Sequence, residues 1–251
     1  MKLSLSVRIA ETATKDRLTI GFDELAKLAR QHGYHAVCMR PSVVGASTPQ
    51  AVQSAVRKTL DDLGLPVSMA TTDIAVPLNN EHGPESLREI APHLDVAETL
   101  GAKLIRICMK NADDIPWAQR AADQAKERGI QLAHQCHTDS LFETVAGSLE
   151  VIERVARPNF GIIYEPANLM LCGQEYGLTT LEQLAPHIMN VYVQNHRLTP
   201  NGKTSLPTRV RGVVHYDLIP LWESGGVDFR ATTTCGAWAS SAMGAKSVRR
   251  S

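Results

Sequence analysis

The chain lacks net charge, because 26 Lys and Arg balance 26 Asp and Glu over 251 residues. A neutral total argues against a nucleic-acid or membrane-surface protein, which needs an excess of basic residues. No apolar run approaches the ~20 residues of a membrane helix, so a membrane span is not expected. The five cysteines (Cys38, Cys108, Cys136, Cys172 and Cys235) are odd in number and form no CxxC pair. That pattern excludes a disulfide framework and a zinc knuckle, and it predicts reduced thiols in a cytoplasmic protein. The N-terminal MKLSLSVRIAET is not a signal peptide, since Arg8 interrupts its short apolar stretch. Missing too are the glycine-rich phosphate turn of dinucleotide folds and any GxxxxGK[ST] loop. What is present is a globular balance, 43% hydrophobic and 21% charged.

Four times an amphipathic helix ends in a charged turn, then Gly, then an apolar strand: LARQHG-YHAVCM, LDDLG-LPVSMA, AETLG-AKLIRICM and AKERG-IQLAHQ. Gly33, Gly64, Gly101 and Gly129 each stand where a helix needs a left-handed closing residue. Their separations of 31, 37 and 28 residues are those of repeated βα units, which imply a parallel sheet. Helix starts are expected at Thr48-Pro49, ahead of Val52, Val56, Leu60 and Leu63, and at a Ser140–Glu143 capping box. Pro92 should delay or kink the helix in 84–100.

Seven strands are predicted, at 3–9, 35–40, 66–70, 103–109, 130–135, 160–165 and 190–194. Polar residues gather at the strand C-terminal ends: Arg40, Thr71 to Asp73, His134 to His137, Glu165, and Gln194 to His196. Sites assembled from many strand ends characterise the (β/α)8 barrel, which is preferred here over an open doubly wound sheet. Side chains alternate along a strand, so His134 and Gln135 point to opposite sides and His137 follows Gln135. Either histidine alone could simply cap a helix or stay solvated. Glu165 ends an apolar strand, where a carboxylate requires a metal, a cation or hydrogen-bonding partners. A salt bridge to Arg106 or Arg40 is the structural alternative. Tyr192 and Gln194 share a face and suit sugar hydroxyls or weak metal coordination, while Asn195 and His196 begin a loop.

The run GIQLAHQCHTDSLFETVAGSLEVIERVARPNFGIIYEPANL, followed by LEQLAPHIMNVYVQNHRL, resembles the sugar phosphate isomerase/epimerase family with the xylose isomerase-like TIM barrel. The resemblance spans 1–229 and is strongest over 84–198. It implies one divalent metal, Mg²⁺ or Mn²⁺, held by residues from strands five to eight, and proton transfer next to a carbonyl. On this sequence the strand-five Glu position is Gln135, the strand-six Asp position is Glu165, and the His three residues on is Asn168. The strand-seven His-x-Lys-Asp pattern reads Tyr192-Val193-Gln194-Asn195, without the imidazole, while His137 is retained. The resemblance thus implies Glu165 and His137 as catalytic residues and Gln135, Glu165 and Gln194 as metal ligands. Arg40, Arg106, His134, Asn168, Tyr192 and His196 are the expected substrate-binding residues. A small carbohydrate is the expected partner, with neither nucleic acid nor membrane, and a homo-oligomer is common in what the chain resembles.

Residues 230–251 differ in kind. They carry four basic and no acidic residues, and fourteen of them are Ala, Ser, Thr or Gly, which leaves 1–229 with a net charge of −4. No helical stripe or strand follows Asp228, so strand eight is missing or aberrant and the barrel is expected to be incomplete. The domain is assigned to 1–229 and the remainder to an aberrant or disordered tail. A two-base change of reading frame, with permissible codons, turns Arg230 onward into RDYDVRRLGELGYGGEV, which restores a helix and the turn into a last strand. The gene's nucleotide sequence tests that frame. Three functions follow: a sugar or sugar-phosphate isomerase/epimerase, a degenerate non-catalytic sugar-binding barrel, and an apurinic endonuclease-like repair protein. The third requires a multi-zinc cluster and a basic groove.

Overall fold

A computed structural model describes residues 2–230. Seven strands hydrogen-bond in chain order: β1 (Ser4–Ser6), β2 (Ala36–Met39), β3 (Val67–Thr71), β4 (Leu104–Ile107), β5 (Gln131–Gln135), β6 (Phe160–Tyr164) and β7 (Ile188–Val191). The intervening helices are α1 (Phe22–Gln31), α2 (Gln50–Asp62), α3 (Ala75–Leu78), α4 (Glu85–Arg88), α5 (Ala91–Leu100), α6 (Ile115–Glu127), α7 (Val145–Val155), α8 (Pro166–Leu171) and α9 (Leu178–Leu184). Strand pairs β1/β2, β2/β3, β3/β4 and β6/β7 are parallel. This is the strand order of a (β/α)8 barrel, incomplete among the described residues. The sequence expectation for 230–251 lies outside them from residue 231 onward.

The chain divides into two compact units. The first holds Lys2–Ala133 with Val155–Phe160 and so contains β1 to β4. Its helices close as the sequence predicts: Gly33, Gly64, Gly101 and Gly129 all take positive φ, from 62° to 78°. Gly101 has a further constraint, because Arg57 Nη1 donates to the Leu100 carbonyl (2.6 Å) across the space a Cβ would fill. Helix α6 buries Ala118, Ala121, Ala122 and Ala125, small side chains spaced along one of its faces. Pro92 acts as expected: it stands in the first turn of α5, separate from the short α4.

Three local expectations are corrected here. Strand β1 ends at Ser6 because Val7–Ala10 turns into a 3-10 helix. Thr48 does not cap α2; its Oγ1 accepts from Gly45 N–H (3.0 Å), and the helix begins after Pro49. The buried face of α2 is Gln53, Val56 and Leu60, with Val52 exposed, since the Gln53 amide turns inward to donate to the Thr48 carbonyl (2.7 Å).

The second unit holds His134–Arg154 and the residues from Gly161 on. The expected Ser140–Glu143 capping box does not form. Thr144 Oγ1 caps α7 by accepting from Gly147 N–H (3.0 Å), while Glu143 accepts backbone N–H groups of Asp139 (3.0 Å), Arg209 (2.8 Å) and Val210 (3.1 Å). Glu143 is released from its own helix to hold a distant turn. That turn belongs to an antiparallel sheet absent from the sequence reading: β8 (His196–Leu198), β9 (Thr204–Thr208) and β10 (Gly212–Leu218), in the order β8-β10-β9. Leu171 from α8 packs with Val214, Tyr216 and Leu206 beneath it. No helix among the described residues is long and apolar enough to cross a membrane.

Candidate functional site

In the second unit, β6 delivers Glu165 at its C-terminal end. The segment FGIIY is buried throughout, and Glu165 then leaves the strand as the residue before α8, whose first position is Pro166. The carboxylate is fully buried (0% exposed). Three side-chain amides surround it. Gln135, at the end of β5, donates through Nε2 to Oε2, and Gln194, just past β7, donates through Nε2 to Oε1. Asn168, one helical turn along α8, donates from Nδ2 to Oε2 (2.7 Å) and to the Cys136 carbonyl (2.9 Å). Hydrogen bonds from neutral donors to an ion are worth about 1.5–3 kcal/mol each, so this ring offsets much of the cost of burying a carboxylate.

The structure therefore brings Gln135, Glu165, Asn168 and Gln194 together, as the sequence placed them at strand ends. The other expected residues make contacts of their own. His134, on the opposite face of β5 from Gln135, stacks on Phe142 with centroids 4.2 Å apart, and its Nδ1 engages the Gln135 carbonyl (2.6 Å). His137 is half-buried in the loop after β5, with Nδ1 at 3.1 Å from the Thr138 carbonyl. Tyr192 continues the β7 pairing by donating its backbone N–H to the Tyr164 carbonyl (2.9 Å). His196 is not a loop residue: it opens β8, where its ring lies 4.5 Å from that of Tyr216. Asn195 is buried and ties down the 220–227 segment, donating to the carbonyls of Pro220 and Glu223 and accepting from Val227 N–H, all at 2.9 Å. That role was invisible in sequence, because its partners are backbone groups 25 to 32 positions away.

Burial raises the pKa of the Cys136 thiol to about 12, leaving it inert as a nucleophile. Burial likewise pushes the Tyr164 phenol up; its hydroxyl donates to the Tyr176 carbonyl.

Arg40 and Arg106 belong to the first unit. Arg40 is buried and pairs with Glu11 (Nε to Oε1, 2.9 Å). Arg106 lies on β4, opposite Thr71 of β3 in register, and is also buried.

Whether a divalent cation suits the Glu165 ring is decided by its donor atoms. Among the described residues no group of three or more His, Cys, Asp or Glu could hold a metal ion, so one carboxylate and neutral amides are the available ligands at Glu165. Gln135 Oε1 is buried and has no hydrogen-bond partner. Turning that amide would present an oxygen to a cation beside Glu165 and satisfy the orphaned atom. Hard cations such as Mg²⁺ accept this kind of set, one carboxylate with carbonyl oxygens and water. The residues fit such an ion.

A family model of the xylose isomerase-like TIM barrel matches residues 26–215. The chain belongs to that family. Among solved structures, this xylose isomerase-like chain is similar to the probable 3-DHS dehydratase AsbF from Bacillus anthracis (17% identity, 92% of this chain and 86% of that one, TM-score 0.67). It is similar to a xylose isomerase-like TIM barrel protein from Mycobacterium smegmatis in complex with magnesium (15%, 91% and 83%, 0.66). A D-psicose 3-epimerase solved in the presence of D-fructose is a third (14%, 81% and 77%, 0.62). At these identities the likeness is one of fold. No curated protein matches the sequence.

Proposed function

We propose that the chain is a sugar isomerase or epimerase that moves a proton next to a carbonyl, with Glu165 as the proton-transferring carboxylate. The observation that carries this is a fully buried carboxylate at a strand end, held by three amides contributed by β5, α8 and the segment after β7. Amide donors aim the carboxylate, as a general base requires. Gln194 is half-buried and closes the ring at its accessible side. Gln135, Glu165 and Gln194 would hold a divalent cation, which supplies stabilisation of the negative charge that develops on the substrate oxygen. The epimerase and the magnesium-bound protein of the same fold support a sugar and a divalent ion as the ligands. His137 remains the second proton-transfer candidate, and Tyr192, His134, Asn168 and His196 the proposed carbohydrate contacts.

The experiment is hydrogen exchange. The purified chain is incubated with D-fructose and other ketoses in D₂O with Mn²⁺ or Mg²⁺, and loss of the carbon-bound proton is followed by NMR. Metal-dependent exchange that disappears in Glu165→Gln supports the reading. No exchange with any ketose, at normal folding, rejects it.

A second reading, a sugar-binding barrel without turnover, is favoured by one observation: both Glu165 oxygens already accept amide N–H groups. Saturable sugar binding without exchange selects it.

A further inference from the structure

In the second unit, the face of the antiparallel sheet that packs on α8 continues into solvent. Val214 and Tyr216 of β10 are buried against Leu171. Leu218 follows on the same face two residues after Tyr216, and Leu198 of β8 stands opposite Tyr216 in register. Yet Leu218 is 53% exposed and Leu198 39%. Beyond Leu218 the chain makes a tight turn, in which Glu223 N–H donates to the Pro220 carbonyl (3.0 Å). Its two corner positions are Leu221 and Trp222, 51% and 88% exposed. Turn corners ordinarily hold Gly, Pro, Asn, Asp or Ser, which suit the backbone and the solvent. Leu and Trp contribute nothing of that kind and place apolar surface in water, the mark of a surface made for contact.

The turn is also fixed in place. Asn195 Nδ2 donates to the carbonyls of Pro220 and Glu223, one on either side of the corner, both at 2.9 Å. Arg197 Nη2 donates to the Glu223 carboxylate (2.6 Å) and to the Ser224 carbonyl (2.9 Å). A large aromatic ring on a turn already ordered loses little further freedom when a partner covers it. Buried Trp side chains are the commonest anchors of interfaces.

We propose that this surface is the contact between two copies of the chain, related by a two-fold axis, in which Leu221 and Trp222 of each rest on Leu198 and Leu218 of the other. One molecule carries both the projecting corner and the flat apolar shelf beside it, and a two-fold contact requires that kind of self-complementary patch. Trp222 and the three leucines offer on the order of 350 Å² of apolar surface per copy, about 200 Å² from the indole and about 50 Å² from each half-exposed leucine. A standard interface covers about 800 Å² per partner, about 60% of it apolar, so the patch supplies about three-quarters of the apolar area such a dimer needs. The rim carries one charge of each sign, Arg197 and Glu223. Two identical rims therefore meet without net repulsion, whereas a partner charged with one sign gains nothing from them. The proposal rests on no part of the Glu165 reading.

The test is sedimentation equilibrium of the full chain at loading concentrations from about 1 to 200 μM. The mass should rise from that of one chain to that of two, with a dissociation constant on the order of 10 μM. Trp222→Ser should raise that constant at least about tenfold, equivalent to about 1.4 kcal/mol. Should Trp222→Ser fail to fold, as checked by circular dichroism, Leu221→Ser at the other corner provides the same comparison. Leu218→Ser on the shelf should also weaken the dimer. Val213→Ser, an exposed position on the opposite face of β10, should leave it unchanged. A single-chain mass at every concentration overturns the proposal, whether another protein or another part of the chain covers the patch. Association that persists in the folded Trp222→Ser or Leu221→Ser chain overturns it, as does an equal loss in Val213→Ser. Growth past two chains overturns the two-fold arrangement. Neither sugar nor metal is present, so the outcome is separate from that of the ketose experiment.

Discussion

Asn168 is the most exposed point of the reasoning about Glu165, because one side-chain nitrogen does two jobs. Its Nδ2 donates to Glu165 Oε2 at 2.7 Å and to the Cys136 carbonyl at 2.9 Å, so it links the end of β6 to the end of β5. Asn168→Ala removes a hydrogen bond to an ion, worth about 1.5–3 kcal/mol, and one to a backbone carbonyl, worth about 0.5–1.5 kcal/mol. Both acceptors stay buried, so the loss should fall within the combined range, about 2–4.5 kcal/mol. For a domain of this size that lowers the melting temperature by roughly 6–12 °C. The assay is urea unfolding followed by circular dichroism, with exposed Asn201→Ala as the control. A loss below about 0.5 kcal/mol, no larger than an ordinary surface substitution, would falsify the claim that these amides hold the carboxylate in place. Added Mg²⁺ or Mn²⁺ provides an internal check. A cation beside Glu165 replaces part of the lost donor field, so the deficit of the variant should shrink when metal is present.

Four further outcomes follow from the same structure. Glu143→Ala strips the acceptor from the N–H groups of Asp139, Arg209 and Val210 and should cost about 2–4 kcal/mol. Trypsin should then cut at Arg209 or Arg211 well before the parent chain is touched, and equal resistance would sink that account. Gly161→Ala drives a Cβ against the His187 carbonyl and the Met189 side chain, and overpacking of this kind costs about 1–3 kcal/mol in thermal unfolding. The four described cysteines are buried, and Cys136 titrates near 12, so iodoacetamide at pH 8 should label none of them until the chain unfolds; mass spectrometry of the folded protein decides this. Lys15 has a folded pKa of about 8, below its ordinary value of 10.5, so the folded state binds fewer protons between those values. Its charge therefore costs stability below pH 8, and that cost is relieved as pH rises towards 10.5. Lys15→Met should flatten this rise in a series of urea titrations, and an unchanged pH profile would contradict the assigned shift.

The βα order was legible because it rests on local physics. Helix-closing glycines at 33, 64, 101 and 129 declare themselves through the backbone conformation that only Gly adopts easily. Pro92 is tolerated only in a helix's first turn and so marks the start of α5, and apolar runs of four or five residues between such signals are strands. The antiparallel β8-β10-β9 sheet escaped notice because pairing Leu206 with Val214 depends on non-local contacts, and its strands carry exposed Val213 and Leu218 rather than a clean alternation. Glu143 looked like a helix cap by spacing alone, yet backbone donors some 66 residues away compete for it more effectively.

For the candidate site, sequence by itself determined that Glu165 would end a buried strand and that Gln135 and Gln194 would stand at neighbouring strand ends. Residue type and period are enough for that. Only the tertiary structure decided who satisfies whom: the carboxylate is ringed by amides, and Arg40 pairs with Glu11. Partner choice among buried polar groups is set by distance and by the cost of leaving any one of them unpaired, and neither quantity is written in the order of residues along a chain.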